Sequence, residues 1–241
     1  MLVASGLAAS RTAAQRMIAA GRVNWSGGIV AKAALDLAPE TRLTVTADPE
    51  DRFVSRGGLK LAGALVASGI DVAGRTCLDV GQSTGGFTDC LLQAGARHVV
   101  GLDVGHGQLH PRLLADSRIT AIEGINCRSL VAADLGNALP NKGFDLIVGD
   151  LSFISLTLVL PQLPPLLTAG GDLLLLVKPQ FEVGPGNIGK GGIVRDPTLY
   201  GEVESKLRQC AASLGLEVRA WLASPINGGD GNREFFLWLN K

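Results

Sequence analysis

Four charged residues stand where predicted elements begin or end. Lys60 sits in VSRGGLKL at the start of a predicted helix. Asp150 closes the run FDLIVGD, Lys178 closes DLLLLVK, and Glu234 precedes the last apolar run in GNREFFL. Taken singly, each reads equally well as a solvated charge at the end of a strand. Taken together, two lysines and two carboxylates can converge on one pocket and remove a proton from a weak acid, and a ribose 2′-hydroxyl is such an acid. A lysine acts as a general base when desolvation or a neighbouring cation favours its neutral form. Lys178 is the expected base and Lys60 the neighbouring cation, with Asp150 and Glu234 orienting the lysines.

A second pattern lies in CLDVGQSTGGFTDCLL, which reads as a strand, a glycine-rich turn and the start of a helix. Backbone amides in such a turn suit an anionic or hydrogen-bonding ligand. A nucleotide P-loop requires lysine after its last glycine, and here Phe87 follows Gly86. A dinucleotide fingerprint requires G-x-G-x-x-G, and Gln82 and Ser83 follow Gly81. What remains is D-x-G-x-x-x-G-G-F, from Asp79 to Phe87. It suits a ligand that joins an ammonium, a carboxylate and a ribose, as S-adenosylmethionine does. Asp103 ends the next strand, where a carboxylate accepts ribose hydroxyls. Asn126, after the third strand, is placed to reach an adenine. The expected cofactor contacts are therefore Asp79, Gly81, Ser83, Thr84, Gly85, Gly86, Phe87, Asp103, Asn126 and Asp150.

These residues need a scaffold of alternating strands and helices. Strand candidates are TCLDVG, HVVGLDV, ITAIEG, FDLIVGD, DLLLLVK, LEVRAWL and REFFLWL, with helices over Gly58–Ser68, Gly86–Ala94, Leu156–Leu167 and Leu199–Leu214. The early strands are apolar throughout, as parallel strands covered on both faces are. The pattern predicts an α/β, Rossmann-like, mostly parallel seven-stranded sheet with helices on both faces. Ligands then lie beyond the carboxyl ends of the strands. Ahead of this fold stands a small α+β module over residues 1–46. Ser10 is an expected helix cap and Gly21 the helix end, with Ala14, Met17 and Ile18 on one apolar face. RVNWSGG and TRLTVTA supply its strands. Residues 47–55 form the expected linker, and 56–241 the larger domain.

The 241 residues carry 22 basic and 22 acidic side chains, so the total charge does not select a partner. The distribution is more informative. Arg11, Arg16, Arg22 and Lys32 precede the first acidic residue, which makes the first module locally basic. With Arg56, Lys190 and Arg195 they are the expected RNA contacts. The four cysteines form no CxxC pair, and His98, His106 and His110 lack ligand-like partners, so no metal site is expected. The weak apolar stretch around Arg11 predicts no signal peptide, and reduced thiols suit a cytoplasmic chain. Leu151 to Gly171 is long enough to span a membrane and carries no charge, but prolines and glycines interrupt it. It reads as a core helix, a proline-marked loop and a turn. Asp150-Leu151-Ser152-Phe153 is not the [DN]-P-P-[YF] clamp of exocyclic-amine methylation. No cysteine follows the fourth or fifth strand, where carbon-5 methylation needs a nucleophile.

The whole chain resembles the TlyA, or hemolysin-A-type, family, a small S4 RNA-binding domain followed by an FtsJ-like methyltransferase. GLAASRTAAQRMIAAGRV resembles the S4 helical motif. VSRGGLKL, CLDVGQSTGGFTDCLL, DLSFISLTLVLP, VKPQFEVG, GKGGIVRDP and DGNREFFL resemble family blocks in the same order. The resemblance implies 2′-O-methylation of ribosomal RNA or ribosomal subunits, at cytidine, with S-adenosylmethionine as cofactor. It places Lys60, Asp150, Lys178 and Glu234 at the catalytic positions and Gly85, Phe87, Asp103 and Asn126 at cofactor positions. It also implies an S4 module clipped at its start, and Gln82 where the family more often has alanine. Two other classes remain: a membrane-active hemolysin, and an RNA-binding protein with an inactive methyltransferase fold.

Overall fold

The structure, a computed structural model, describes residues 1–8, 11–46 and 48–241. Ser10, the expected helix cap, and Ala47, the expected first linker residue, lie outside the described residues. The chain divides into two compact units, Met1–Arg52 and Phe53–Lys241.

In the first unit, α1 (Arg11–Ala19) is followed by β1 (Val23–Trp25), β2 (Gly28–Ile29) and β3 (Thr44–Val45). The strands form an antiparallel sheet in the order β2-β1-β3. Gly21 ends the helical turn with φ +67°, a conformation glycine adopts without steric cost. Ala14, Met17 and Ile18 share a face, as their spacing predicts, but they are only half-buried. They pack on a core of Leu2, Ala8, Val23 and Val30. Arg11, Arg16 and Lys32 are exposed. Arg22 is engaged in the fold: it donates to the Thr46 carbonyl and pairs with Asp48 at 3.5 Å and with Asp51.

The second unit begins with α2 (Gly57–Ser68). Then come β4 (Thr76–Val80), α3 (Gly86–Gln93), β5 (His98–Asp103), α4 (Pro111–Leu114), β6 (Ile119–Glu123), α5 (Ala132–Leu135) and β7 (Phe144–Gly149). The chain continues through α6 (Leu156–Val159), β8 (Leu167–Val177), α7 (Thr198–Ser213), β9 (Glu217–Ala223) and β10 (Phe235–Asn240). The seven strands lie in the order β6-β5-β4-β7-β8-β10-β9. β4 to β8 are parallel, and β10 runs antiparallel between β8 and β9.

All seven expected strands form, and α2, α3 and α7 lie within two residues of their expected limits. The expected helix over Leu156–Leu167 does not form as one element. Only Leu156–Val159 is α-helical. Pro161, Pro164 and Pro165 lack amide donors, and the chain continues as 3-10 turns over Leu160–Gln162 and Pro164–Leu166. Leu167 already belongs to β8, which includes the glycines expected to form a turn. Among the described residues, no helix is long and apolar enough to cross a membrane.

Apolar residues cover both sheet faces. One face packs with Leu156, Val159, Val203 and Leu207 of α6 and α7. The other packs with Leu61, Leu65, Phe87 and Leu91 of α2 and α3. Two rigid layers thus hold the strand ends, and the loops that follow β4, β5, β7 and β8 emerge along one edge of the sheet.

Candidate active site

Strand register brings the charges together. Gly149 lies opposite both Val80 and Leu175, so the β7 and β8 ends are neighbours and Asp150 meets Lys178. Because β10 is antiparallel, its first residue Phe235 pairs with Val177, which sets Glu234 beside the end of β8. Lys60 reaches the same edge from the first turns of α2.

Two ion pairs result. Lys178 Nζ lies 2.6 Å from Asp150 Oδ1, and Lys60 Nζ lies 2.6 Å from Glu234 Oε2. Both contacts are close charge pairs, although neither carboxylate oxygen has an acceptor's hydrogen-bond angles. The Lys60–Glu234 pair is the drier, with side chains 10% and 2% exposed. Burial raises the Glu234 carboxyl above its usual range; Lys60 and Lys178 oppose this, and Asp150 adds to it. The four groups therefore share one electrostatic neighbourhood.

Beside them the glycine-rich turn forms the wall of two cavities. The smaller, about 160 Å³, is lined by Ser55, Thr84, Gly86, Phe87 and Lys178 among others. The larger, about 480 Å³, is lined by Asp103, Gln108, Asn126 and Phe153 among others. Gly81, Ser83, Asp150 and Ser152 line both. Gly81 has φ +85°, and a Cβ there would stand 2.9 Å from the Asp150 carbonyl. A side chain at this position would close the passage between the β4 and β7 ends. Gly85, with φ +92°, makes no side-chain cap, so the Gly86 and Phe87 amides that open the eight-residue α3 have no capping side chain.

Asp103 accepts from the Ser83 amide through Oδ2 and from the Gly105 amide through Oδ1, both at 2.7 Å. Each carboxylate oxygen retains a lone pair for a further donor. Asn126 is exposed and lines the larger cavity, with Oδ1 accepting from the Arg128 amide. Lys60, Asp79, Gly85 and Glu234 line neither cavity. Asp79 is fully buried in β4, where Oδ2 accepts from Thr88 Oγ1 at 2.7 Å and Oδ1 has no partner. Thr88 in turn accepts from Gln82 Nε2 at 2.9 Å. This network supports the turn from below.

Burial raises the Asp79 carboxyl from 3.8 to about 7, against the hydrogen bond from Thr88. The folded chain therefore holds a proton that the unfolded chain releases above about pH 4. The stability Asp79 contributes is present below that pH and is lost as pH rises toward 7. Asp79→Asn keeps an acceptor for Thr88 and cannot ionise. It is expected to be more stable than the parent at pH 8 by about 1 kcal/mol or more. Urea unfolding between pH 5 and 8 checks this: the substitution should flatten the decline, and an equally steep decline in both proteins would contradict it.

Several residues at the site have no signal in the strand-end pattern. Ser152 Oγ accepts from Lys178 Nζ at 2.7 Å. Ser83 Oγ donates to Gln108 Oε1 at 3.2 Å. Ser83 and Phe153 are the non-glycine residues with positive φ among the described residues, and both line the larger cavity. Such strain concentrates where a loop is held for function. The Phe153 ring is 89% exposed and lies 5.1 Å from that of Phe181. Of the expected RNA contacts in this unit, Arg56, Lys190 and Arg195 are exposed, and Arg56 donates to the Asn227 carbonyl. Among the described residues no cluster of metal ligands occurs.

The family model for FtsJ-like methyltransferases matches residues 53–241. The 16S/23S rRNA (cytidine-2′-O)-methyltransferase TlyA of Mycobacterium tuberculosis is 48% identical over 238 residues, covering 99% of this chain and 87% of that protein. Hemolysin A of Brachyspira hyodysenteriae is 38% identical, covering 95% and 93% of the two chains. A crystal structure of a candidate hemolysin from Lactococcus lactis superposes with a TM-score of 0.74 at 45% identity, covering 79% of this chain and 89% of that one. The chain belongs to the FtsJ-like methyltransferase family.

Proposed function

We propose that the protein methylates the 2′-hydroxyl of a cytidine in ribosomal RNA, with S-adenosylmethionine as methyl donor. The observation that carries this reading is the Lys178–Asp150 pair, set at the junction of two cavities whose common wall is the glycine-rich turn. The cytidine and the ribosomal RNA come from the activity named for the Mycobacterium tuberculosis relative.

The residues present fit the cofactor. Gly81 leaves the passage a Cβ would fill, Asp103 keeps two acceptor positions for ribose hydroxyls, and the α3 amides suit a carboxylate. Asn126 faces the adenine end. The bound cofactor supplies a methyl group on a sulfonium, which keeps the bonding pair and leaves as a thioether. Lys178 takes the 2′-hydroxyl proton and finishes as an ammonium paired with Asp150. Lys60 and Glu234 form a buried pair beside the end of β8. A positioned base contributes about 10²–10⁴-fold in rate.

Residues 1–46 act as an S4-like RNA-binding module, and within the expected linker 47–55 Asp48 and Asp51 belong to the same compact unit through Arg22. Arg11, Arg16 and Lys32 expose positive charge for phosphate contacts, while Arg22 is held by its own unit. The hemolysin reading rests on the names of two similar proteins; among the described residues no helix is long and apolar enough to cross a membrane.

The test is incubation of unmodified ribosomal subunits with the protein and methyl-labelled S-adenosylmethionine, followed by mapping of the labelled nucleotide. Label at the 2′-oxygen of a cytidine is expected. Label on a base, or none on RNA, would overturn the reading.

A further inference from the structure

We propose that Ser152 is a positioning residue that aims the lone pair of Lys178 at the substrate hydroxyl. The proposal rests on Lys178 being the base. A neutral amine on a lysine side chain has two N–H bonds and one lone pair, arranged tetrahedrally with Cε. Only the lone pair can take a proton. In the structure Nζ has two close oxygen partners, Asp150 Oδ1 at 2.6 Å and Ser152 Oγ at 2.7 Å. An ionised carboxylate only accepts, and a serine hydroxyl offers two acceptor lone pairs. The Ser152 hydrogen bond fixes one N–H direction, and the Asp150 carboxylate, a charge contact 2.6 Å away, repels the lone pair, so the lone pair is turned away from both oxygens. As the oxygen–methyl bond forms, the 2′ O–H bond breaks and its proton joins that lone pair. The product is an ammonium with its third N–H where the lone pair had been.

Ser152 is held at the right place from both sides. Asp150 precedes it by two residues at the end of β7. Beyond it, Ser155 Oγ and the Leu156 amide each donate to Glu182 at 2.6 Å. Glu182 follows Lys178 by four residues, so the loop after β7 and the segment after β8 are joined at two points. Ser152 also lines both cavities, at the place where cofactor and nucleotide must meet. Without its oxygen, rotation about the Cε–Nζ bond exchanges the lone pair with an N–H, and much of the neutral amine is misdirected.

Single-turnover methyl transfer to ribosomal subunits at saturating cofactor tests this, with Ser152→Ala, Ser152→Thr, Lys178→Ala and the double variant Ser152→Ala/Lys178→Ala. Ser152→Ala should slow transfer at least tenfold with unchanged KM for RNA and unchanged cofactor affinity. Ser152→Thr restores the hydroxyl and should recover the rate to within about threefold. In the Lys178→Ala background, removing Ser152 should have no further effect. A wild-type rate for Ser152→Ala, or a threonine variant as slow as alanine, would overturn the positioning role. So would an undiminished serine effect in the Lys178→Ala background. Rapid transfer by Lys178→Ala itself would instead defeat the base assignment, so the two failures are distinguishable.

Discussion

Replacing Lys178 by alanine or by arginine is expected to slow methyl transfer by about 10²–10⁴-fold, the range a positioned acid or base contributes. The two substitutions fail for different reasons. Alanine removes the amine. Arginine keeps the positive charge beside Asp150 but stays protonated under any working condition. Arginine should therefore preserve cofactor and RNA binding while losing the chemical step. The contrast separates the base role from a structural ion pair, in which arginine would replace lysine with little loss. The measurement is single-turnover transfer across pH 6 to 9 with saturating cofactor and RNA. A near-wild-type rate for Lys178→Arg would leave proximity and orientation as the source of rate.

Glu234→Ala should have the largest effect on stability. It leaves Lys60 in a site where the lysine side chain is 10% exposed and has lost its 2.6 Å counter-charge. Breaking a buried pair by removing one partner costs about 3–5 kcal/mol, because the remaining charge is uncompensated. Removing both charges avoids that penalty. The pair Lys60→Met and Glu234→Leu together should regain most of the lost stability without regaining activity. Urea unfolding at pH 7 of the single and double variants checks this. If Glu234→Ala unfolds within 1 kcal/mol of the parent, the pair is solvated in practice and does not stabilise the fold.

The same residues show how far the chain could be read in advance. Asp150 and Lys178 each end an apolar run, so the period of the strands fixes their place, and a parallel sheet puts both on one edge. Glu234 was legible because REFFLWL could be recognised as a strand; the antiparallel register of β10 then brings it beside Lys178. The segment after Asp150 is less legible. Its apolar residues suggest a helix to Leu167, but three prolines remove the amides that a helix requires, and only one helical turn survives. Ser152, Gln108 and Phe153 lie in loops, where no periodicity marks a side chain's direction. Arg22 looked like a phosphate contact because nothing acidic is near it in sequence; Asp48 and Asp51 reach it through the fold. Asp79 opens the glycine motif and so reads as a ligand contact; in the fold it is buried in β4, where Oδ2 accepts from Thr88 Oγ1 and supports the turn.

The methyl acceptor in the proposed reaction is a ribose oxygen deprotonated by Lys178. The most direct measurement is single-turnover transfer to two RNA substrates that differ only at the mapped cytidine, one carrying ribose there and the other 2′-deoxyribose. Full labelling of the first and none of the second is expected, with equal binding of both. Equal labelling of the two would place the methyl group on the base and contradict it.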